Sequence, residues 1–181
     1  MLGPFDVFPR LVTERLVLRK LTPDDFVSLI GHVNNKIIAD NVLNIPHPYG
    51  EPDAAFRMGF IQQGFAQQLR VVFALAKKED NEVIGEAGIH FTKDRKSAEI
   101  GYWVGESYWG QGYAAEAVKA ILDYGFRVHQ LTSIYAICKE GNEASHRVAQ
   151  KSGMQLYSQG DAMHRYIQIN PMTNTDVIKQ K

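Results

Sequence analysis

At 181 residues, with 45% hydrophobic and 22% charged residues, the chain has the composition of one soluble globular unit, long enough to bury roughly 70% of its unfolded surface. Twenty basic and twenty acidic residues cancel to zero formal net charge, which excludes a general attraction to nucleic acid or to an anionic membrane. Cys138 is the only cysteine, so an internal disulfide is excluded and a reducing, cytoplasmic setting is expected; Met1 to Pro9 lack the features of a signal peptide or membrane span.

Leu11 to Lys20 has the period of a strand, with Leu16 and Leu18 alternating against Arg15, Val17 and Arg19. Thr22-Pro23-Asp24-Asp25 then signals a helix start: a capping hydroxyl, a proline with preset φ, and acidic residues that complement the dipole. Asn34 to Gly50 has no clear period and reads as a loop with one helical turn. Pro52 to Gln68 places Ala55, Phe56, Phe60 and Phe65 at helical spacing. Val71–Ala76 and Val83–Phe91 read as strands joined by the polar turn Lys77 to Asn81, and after Thr92 to Lys96 a third strand, Ala98–Val104, follows. A helix to about Val128 buries Ala114, Ala117, Val118, Ile121, Leu122 and Phe126. Next comes the strand Leu131–Lys139, then a helix capped by Asn142 and ended at Ser152 by a left-handed Gly153. Gln155–Gln159 and Met163–Ile169 complete the strands, before a polar tail from residue 171.

Between the third of these strands and its helix lies Ser107-Tyr-Trp-Gly-Gln-Gly-Tyr-Ala-Ala-Glu-Ala117. Gly110 and Gly112 permit a sharp turn and close approach to a ligand, and the helix that follows starts with unpaired N–H groups and a positive dipole end. One reading is a tight turn without a ligand. A second is a dinucleotide fingerprint, because Gly110-x-Gly112-x-x-Ala115 fits its spacing, although Gln130 and Leu131 stand where an acidic residue should hold a ribose. A third is a phosphate cradle of another kind.

The flanks carry the third reading. Ala98-Glu-Ile-Gly-Tyr-Trp-Val104, Trp109-Gly-Gln-Gly-Tyr-Ala-Ala-Glu-Ala117, Asn142-x-x-Ser145 and Gly153-Met154 together resemble the GNAT superfamily of acetyl-CoA-dependent N-acetyltransferases, and within it the RimJ/RimL-like branch. The opening Thr13-Glu-Arg-Leu-x-Leu-Arg19, followed by Thr22-Pro-x-Asp25, matches how chains of that branch begin. The resemblance implies an α/β, three-layer domain: a mostly antiparallel mixed sheet with a splayed parallel strand pair and helices on both faces. It implies that the turn binds the CoA pyrophosphate through backbone N–H groups of Trp109, Gly110, Gln111, Gly112, Tyr113 and Ala114, with Gly112 at the fixed glycine. Trp109 departs from the family's Arg or Gln at the first position. The splayed pair would be Ala98–Val104 and Leu131–Lys139, with Trp103 and Val104 backbone groups facing the pantetheine and the thioester oxygen.

On the same resemblance Glu99 is the candidate general base, against the structural alternative of a solvent-facing strand residue; Glu86, Glu106, His90 and His164 are further candidates. The tyrosine that many family members carry seven residues after the asparagine is Ala149 here, so Ser145 is the candidate hydrogen-bond donor to the departing thiolate, with Tyr102, Tyr113 and Tyr135 as substitutes. Asn142 is expected to cap its helix and contact the cofactor. No residue cluster has metal-ligand spacing, and no metal is expected. The expectation is a single domain with its core at about residues 11–170. It would use acetyl-CoA to acetylate a protein N-terminal α-amine or a small-molecule amine, with no nucleic-acid or membrane partner and a homodimer left open. A non-catalytic acyl-CoA-binding module on the same fold is the alternative, and a Rossmann-type nucleotide binder the third.

Overall fold

The computed structural model describes residues 3–42 and 44–172; the expected polar tail lies, from residue 173 on, outside them. The strands are β1 (Leu11–Val12), β2 (Leu16–Arg19), β3 (Arg70–Lys77), β4 (Val83–Phe91), β5 (Ser97–Val104), β6 (Ser133–Lys139), β7 (Gln155–Gln159) and β8 (Met163–Ile169). The helices are α1 (Phe26–Val33), α2 (Lys36–Asn41), α3 (Glu51–Ala66), α4 (Tyr113–Arg127) and α5 (Glu143–Lys151). All eight strands form one sheet in the order β1-β2-β3-β4-β5-β6-β8-β7. Only β5 and β6 run parallel; the other neighbouring pairs are antiparallel, which rules out a doubly wound Rossmann sheet.

Alternation along the strands divides the interior into two cores. Leu16, Leu18, Phe73, Ile89, Ile100 and Ile134 turn to the face covered by α4 and α5, whose own stripe is Ala117, Val118, Ile121 and Leu122. Val72, Ala74, Ala76 and Trp103 turn to the opposite face, under Leu29 and Val33 of α1 and Ala54 and Ile61 of α3. Each face is apolar, and each is closed by a helical layer that buries its own apolar side. Ala114, expected in the α4 stripe, is only partly buried, and Ala115 takes the deeper place.

Two local expectations change, and the helical turn expected between Asn34 and Gly50 is located. The run Leu11 to Lys20 breaks into two short strands, because the Thr13 hydroxyl and the Arg15 N–H both donate to the Glu116 carboxylate of α4, at 2.6 and 2.7 Å. The helix expected at Thr22 begins as a 3₁₀ turn, Pro23–Asp25, before α1. There the Thr22 hydroxyl donates to the Asp25 carboxylate at 2.9 Å, where a cap would accept from the backbone. The segment Asn34 to Gly50 contains α2, capped by Asn35, whose Oδ1 accepts from the N–H groups of Ile37 and Ile38.

The parallel pairing of β5 with β6 covers only Ser97 to Glu99 against Ser133 to Tyr135. Beyond that point β5 stays with β4 as far as Val104, and β6 stays with β8 as far as Lys139, so the two strands part and a gap opens in the sheet.

Candidate active site

At the far end of β5 the chain turns through Gly110 and Gly112, with φ of +75° and +87°, into α4. Side chains with a Cβ rarely adopt such φ values, which is why glycine stands at both places. The backbone N–H groups of residues 110–115 have no acceptor among the described residues, and the first helical bond is Glu116 N–H to Gly112 C=O. Unpaired donors at a helix start fit an anionic group such as a pyrophosphate. The turn is braced from the bend just before β2: Arg15 donates through Nε to Glu116 at 2.7 Å and through Nη1 to the Gln111 carbonyl at 3.0 Å, and its guanidinium lies 4.2 Å from the Tyr113 ring centre. The Gln111 side chain donates back to the Ser107 carbonyl at 2.9 Å. Trp109, the departure from the family pattern, donates its indole N–H to the Val104 carbonyl at 2.6 Å and so ties the turn to the end of β5.

Hydrogen-bond alternation decides which backbone groups face the gap. Thr92 N–H donates to Ser97 C=O and Gly105 N–H to Ile84 C=O, so the odd-numbered residues of β5 exchange their bonds with β4. The Lys96 carbonyl, on the other parity, accepts from Thr132 at the start of β6. The backbone of Trp103, expected at the gap, is therefore turned to Glu86 on β4, and the gap-facing groups are those of Tyr102 and Val104. The Trp103 side chain is buried in the second core and donates its indole N–H to Glu86 at 2.9 Å.

On the other side of the gap stands α5. Asn142 caps it by accepting from the Ser145 N–H at 3.1 Å, and its amide donates to Asn41 of α2 at 3.3 Å. The Ser145 carbonyl accepts from the Tyr102 hydroxyl at 3.2 Å, which spans from β5 to α5, while the Ser145 hydroxyl has no partner among the described residues. Burial holds the Tyr102 phenol well above its ordinary pKa, so it keeps its proton. Ala149, in the place of the family's tyrosine, is buried in the core.

Glu99 is the last residue of β5 paired to β6, so it stands where the gap begins, on the sheet face opposite α4 and α5. Across the strands on that face lie His90 on one side and Tyr135 on the other. Burial raises the pKa of Glu99, and the Arg165 charge partly opposes the shift. The other candidates are placed differently. Glu86 is 2% exposed beneath Trp103 and Arg57, which donates to it at 3.1 Å. Glu106 accepts from Asn35 at 2.5 Å at the rim. His90 is lowered to about 4 by burial and by the charges of Arg70 and Arg57, so it is neutral at pH 7. His164 packs its ring on His146, 4.9 Å away. Cys138 is buried on β6 with its thiol pushed up to about 11, an inert packing residue. Among the described residues no group of three or more His, Cys, Asp or Glu side chains could hold a metal ion.

Reading the sequence missed Arg15 and the structural use of Trp109. Arg15 and Glu116 each sit inside a recognised motif, and their co-occurrence was the available signal; nothing local marks the indole contact.

Residues 15–155 match the family described as acetyltransferase (GNAT) domain. The uncharacterized N-acetyltransferase p20 of Bacillus licheniformis is 32% identical over 136 residues, 75% of this chain and 76% of that protein. The ribosomal-protein-serine acetyltransferase of Escherichia coli is 32% identical over 96 residues, 52% of this chain and 50% of its own. The solved structure of RimL, a ribosomal L7/L12 alpha-N-protein acetyltransferase in complex with coenzyme A, superposes with a TM-score of 0.78 at 20% identity, over 91% of this chain and 98% of that one. With the match spanning most of the chain, and a splayed strand pair beside an N–H-lined glycine turn, the chain belongs to the GNAT family of acetyltransferases, acyltransferases whose cofactor is acetyl-CoA.

Proposed function

We propose that the protein transfers the acetyl group of acetyl-CoA directly to a primary amine, either a protein N-terminal α-amine or the amine of a small molecule, in the cytoplasm. The observation that carries the reading is the convergence of three features on β5: an unpaired N–H turn at its end, a gap along its edge, and a half-buried carboxylate where the gap begins. Acetyl-CoA, when bound, supplies the activated thioester. The N–H groups of residues 110–115 would hold its pyrophosphate, with Arg15 bracing the turn that presents them. The Val104 N–H faces the gap as a donor for the thioester oxygen, an interaction whose loss costs other enzymes about 2.7 to 4 kcal/mol. Glu99 takes the proton of the attacking amine, directly or through a water, as the C–N bond forms and the C–S bond breaks. The Ser145 hydroxyl, unpaired beside the gap, donates to the departing sulfur, and Asn142 fixes the helix that carries it. A thiol pKa near 8.5 means the leaving group needs only a hydrogen bond and not a strong acid.

Incubation with acetyl-CoA and a panel of amines, following free thiol, tests the reading. Amine-dependent thiol release is expected; tight CoA binding with no release for any amine would identify an acyl-CoA-binding module instead.

A further inference from the structure

The face that carries Glu99 is covered by α1 and α3 over β3 and β4, but over β6 and β8 it is open: Ile137, Met163 and Ile169 are 42%, 44% and 51% exposed. Arg165 stands on this open face of β8, opposite Ile137. Its guanidinium lies 4.9 Å from the ring centre of Tyr135, the β6 residue in register with Glu99. Among the described residues Arg165 makes no ion pair. It is close enough for its charge to act on both Glu99 and Tyr135. The two opposite charges stand one strand apart, with β6 between them; stacking on Tyr135 of that strand keeps the guanidinium apart from the carboxylate, with its donors unused. The other charges on this face include Arg57, paired with Glu86, Arg70, whose Nε and Nη1 have no acceptor, and Lys139, whose ammonium donates to the Asp40 carbonyl while the Asp40 carboxylate is taken by Lys36; none of these carboxylates is paired with Arg165.

A carboxylate and a guanidinium held apart on one open face match a ligand that carries an ammonium and a carboxylate. We propose that Arg165 binds a carboxylate of the acceptor, and that the acceptor is a free amino acid or a similarly small zwitterionic amine whose nitrogen lies at Glu99. The inference rests on the acetyltransferase reading above and narrows its acceptor. Arg165 would be a specificity determinant on a strand, where its position is set by the sheet and by the Tyr135 ring. Guanidinium and carboxylate match in a two-bond, planar arrangement that a lysine ammonium reproduces only in charge.

The test compares wild type with Arg165→Ala and Arg165→Lys on matched acceptors, leucine against leucinamide and alanine against alaninamide, following thiol release. The ratio of variant to wild type for each acceptor cancels differences in intrinsic amine reactivity. Arg165→Ala is expected to lower kcat/KM for the amino acids by about 10- to 100-fold, mainly through KM. The ratio for the amides and the KM for acetyl-CoA should stay within about twofold, and Arg165→Lys should recover part of the loss, as a charge without the fork geometry would. Equal losses on acids and amides, no loss on either, or turnover confined to amines without a carboxylate would each overturn the inference while leaving the acetyltransferase intact. Absence of turnover with every amine overturns it too, and calorimetry with CoA then shows which reading failed. Binding would limit the failure to catalysis and acceptor; no binding would remove the CoA site itself.

Discussion

A carboxylate on a strand is ordinary; Glu99 is set apart by where the sheet divides. Its burial raises the pKa, so it is protonated, and unable to act as a base, up to a higher pH than a free glutamate. The sign follows: if Glu99 is the base, activity falls as pH drops through a pKa raised above that of a free glutamate. Glu99→Gln should lower turnover by about 10²- to 10⁴-fold at full effect and remove that acidic limb. For an α-amine with pKa near 8, about one molecule in ten is already neutral at pH 7, against about one in 2,500 for a lysine near 10.4, so the milder end is expected with α-amines. A pH–rate profile of Glu99→Gln that retains both rate and limb would eliminate Glu99, and His90, directly across the ladder, would be tested next.

At the scale of elements, the turn between β5 and α4 works because several contacts shape a backbone that has no side-chain signature. Gly112 is the N-cap of α4 at φ +87°, and the nearest atom to an added Cβ there is Nη2 of Arg15 at 3.5 Å. Gly112→Ala would therefore meet little steric resistance but would carry backbone strain of about 1–3 kcal/mol. Gly112→Asp adds the same strain and places a negative charge among donors meant for a phosphate, whose charge-assisted bonds are worth about 1.5–3 kcal/mol each. Calorimetry on the two folded variants should show a modest loss of CoA affinity for Ala and a loss beyond about 100-fold for Asp. Equal affinities for the pair would remove the pyrophosphate from this turn.

For the whole molecule, β4 is the strand on which both cores depend, and its glycines let its neighbours come close. A Cβ at Gly85 would lie 2.2 Å from the Trp103 carbonyl oxygen and 3.0 Å from the Val104 Cα, backbone atoms that cannot rotate aside. Gly85→Ala should force β4 from β5 beside the gap. It should destabilise the fold by about 1–3 kcal/mol, with the melting temperature falling by roughly 2–4 °C per kcal/mol. Gly101→Ala is the control, because nothing lies within 4 Å of its added Cβ. Thermal unfolding in which the two variants melt alike would show that the close approach at Gly85 is not what holds β4 to β5.

The sequence by itself determined the elements whose cause is local. Periodicity located the strands from Val71 onward and the stripe of α4, Asn142 and Gly153 marked both ends of α5, and the paired glycines announced the turn. Those signals are legible because each depends on residues within a few positions of one another. Only the tertiary structure decided what depends on register or on distant partners. A shift of one residue exchanges the groups that face a neighbouring strand, so Trp103 bonds to β4 while Tyr102 and Val104 face the gap. Arg15 and Glu116 meet across 101 positions to brace the turn. Arg165, unremarkable in its own stretch, stacks on Tyr135 and brings its charge to bear on Glu99 because β8 lies beside β6 and β6 beside β5, an adjacency set by the order of strands in the sheet.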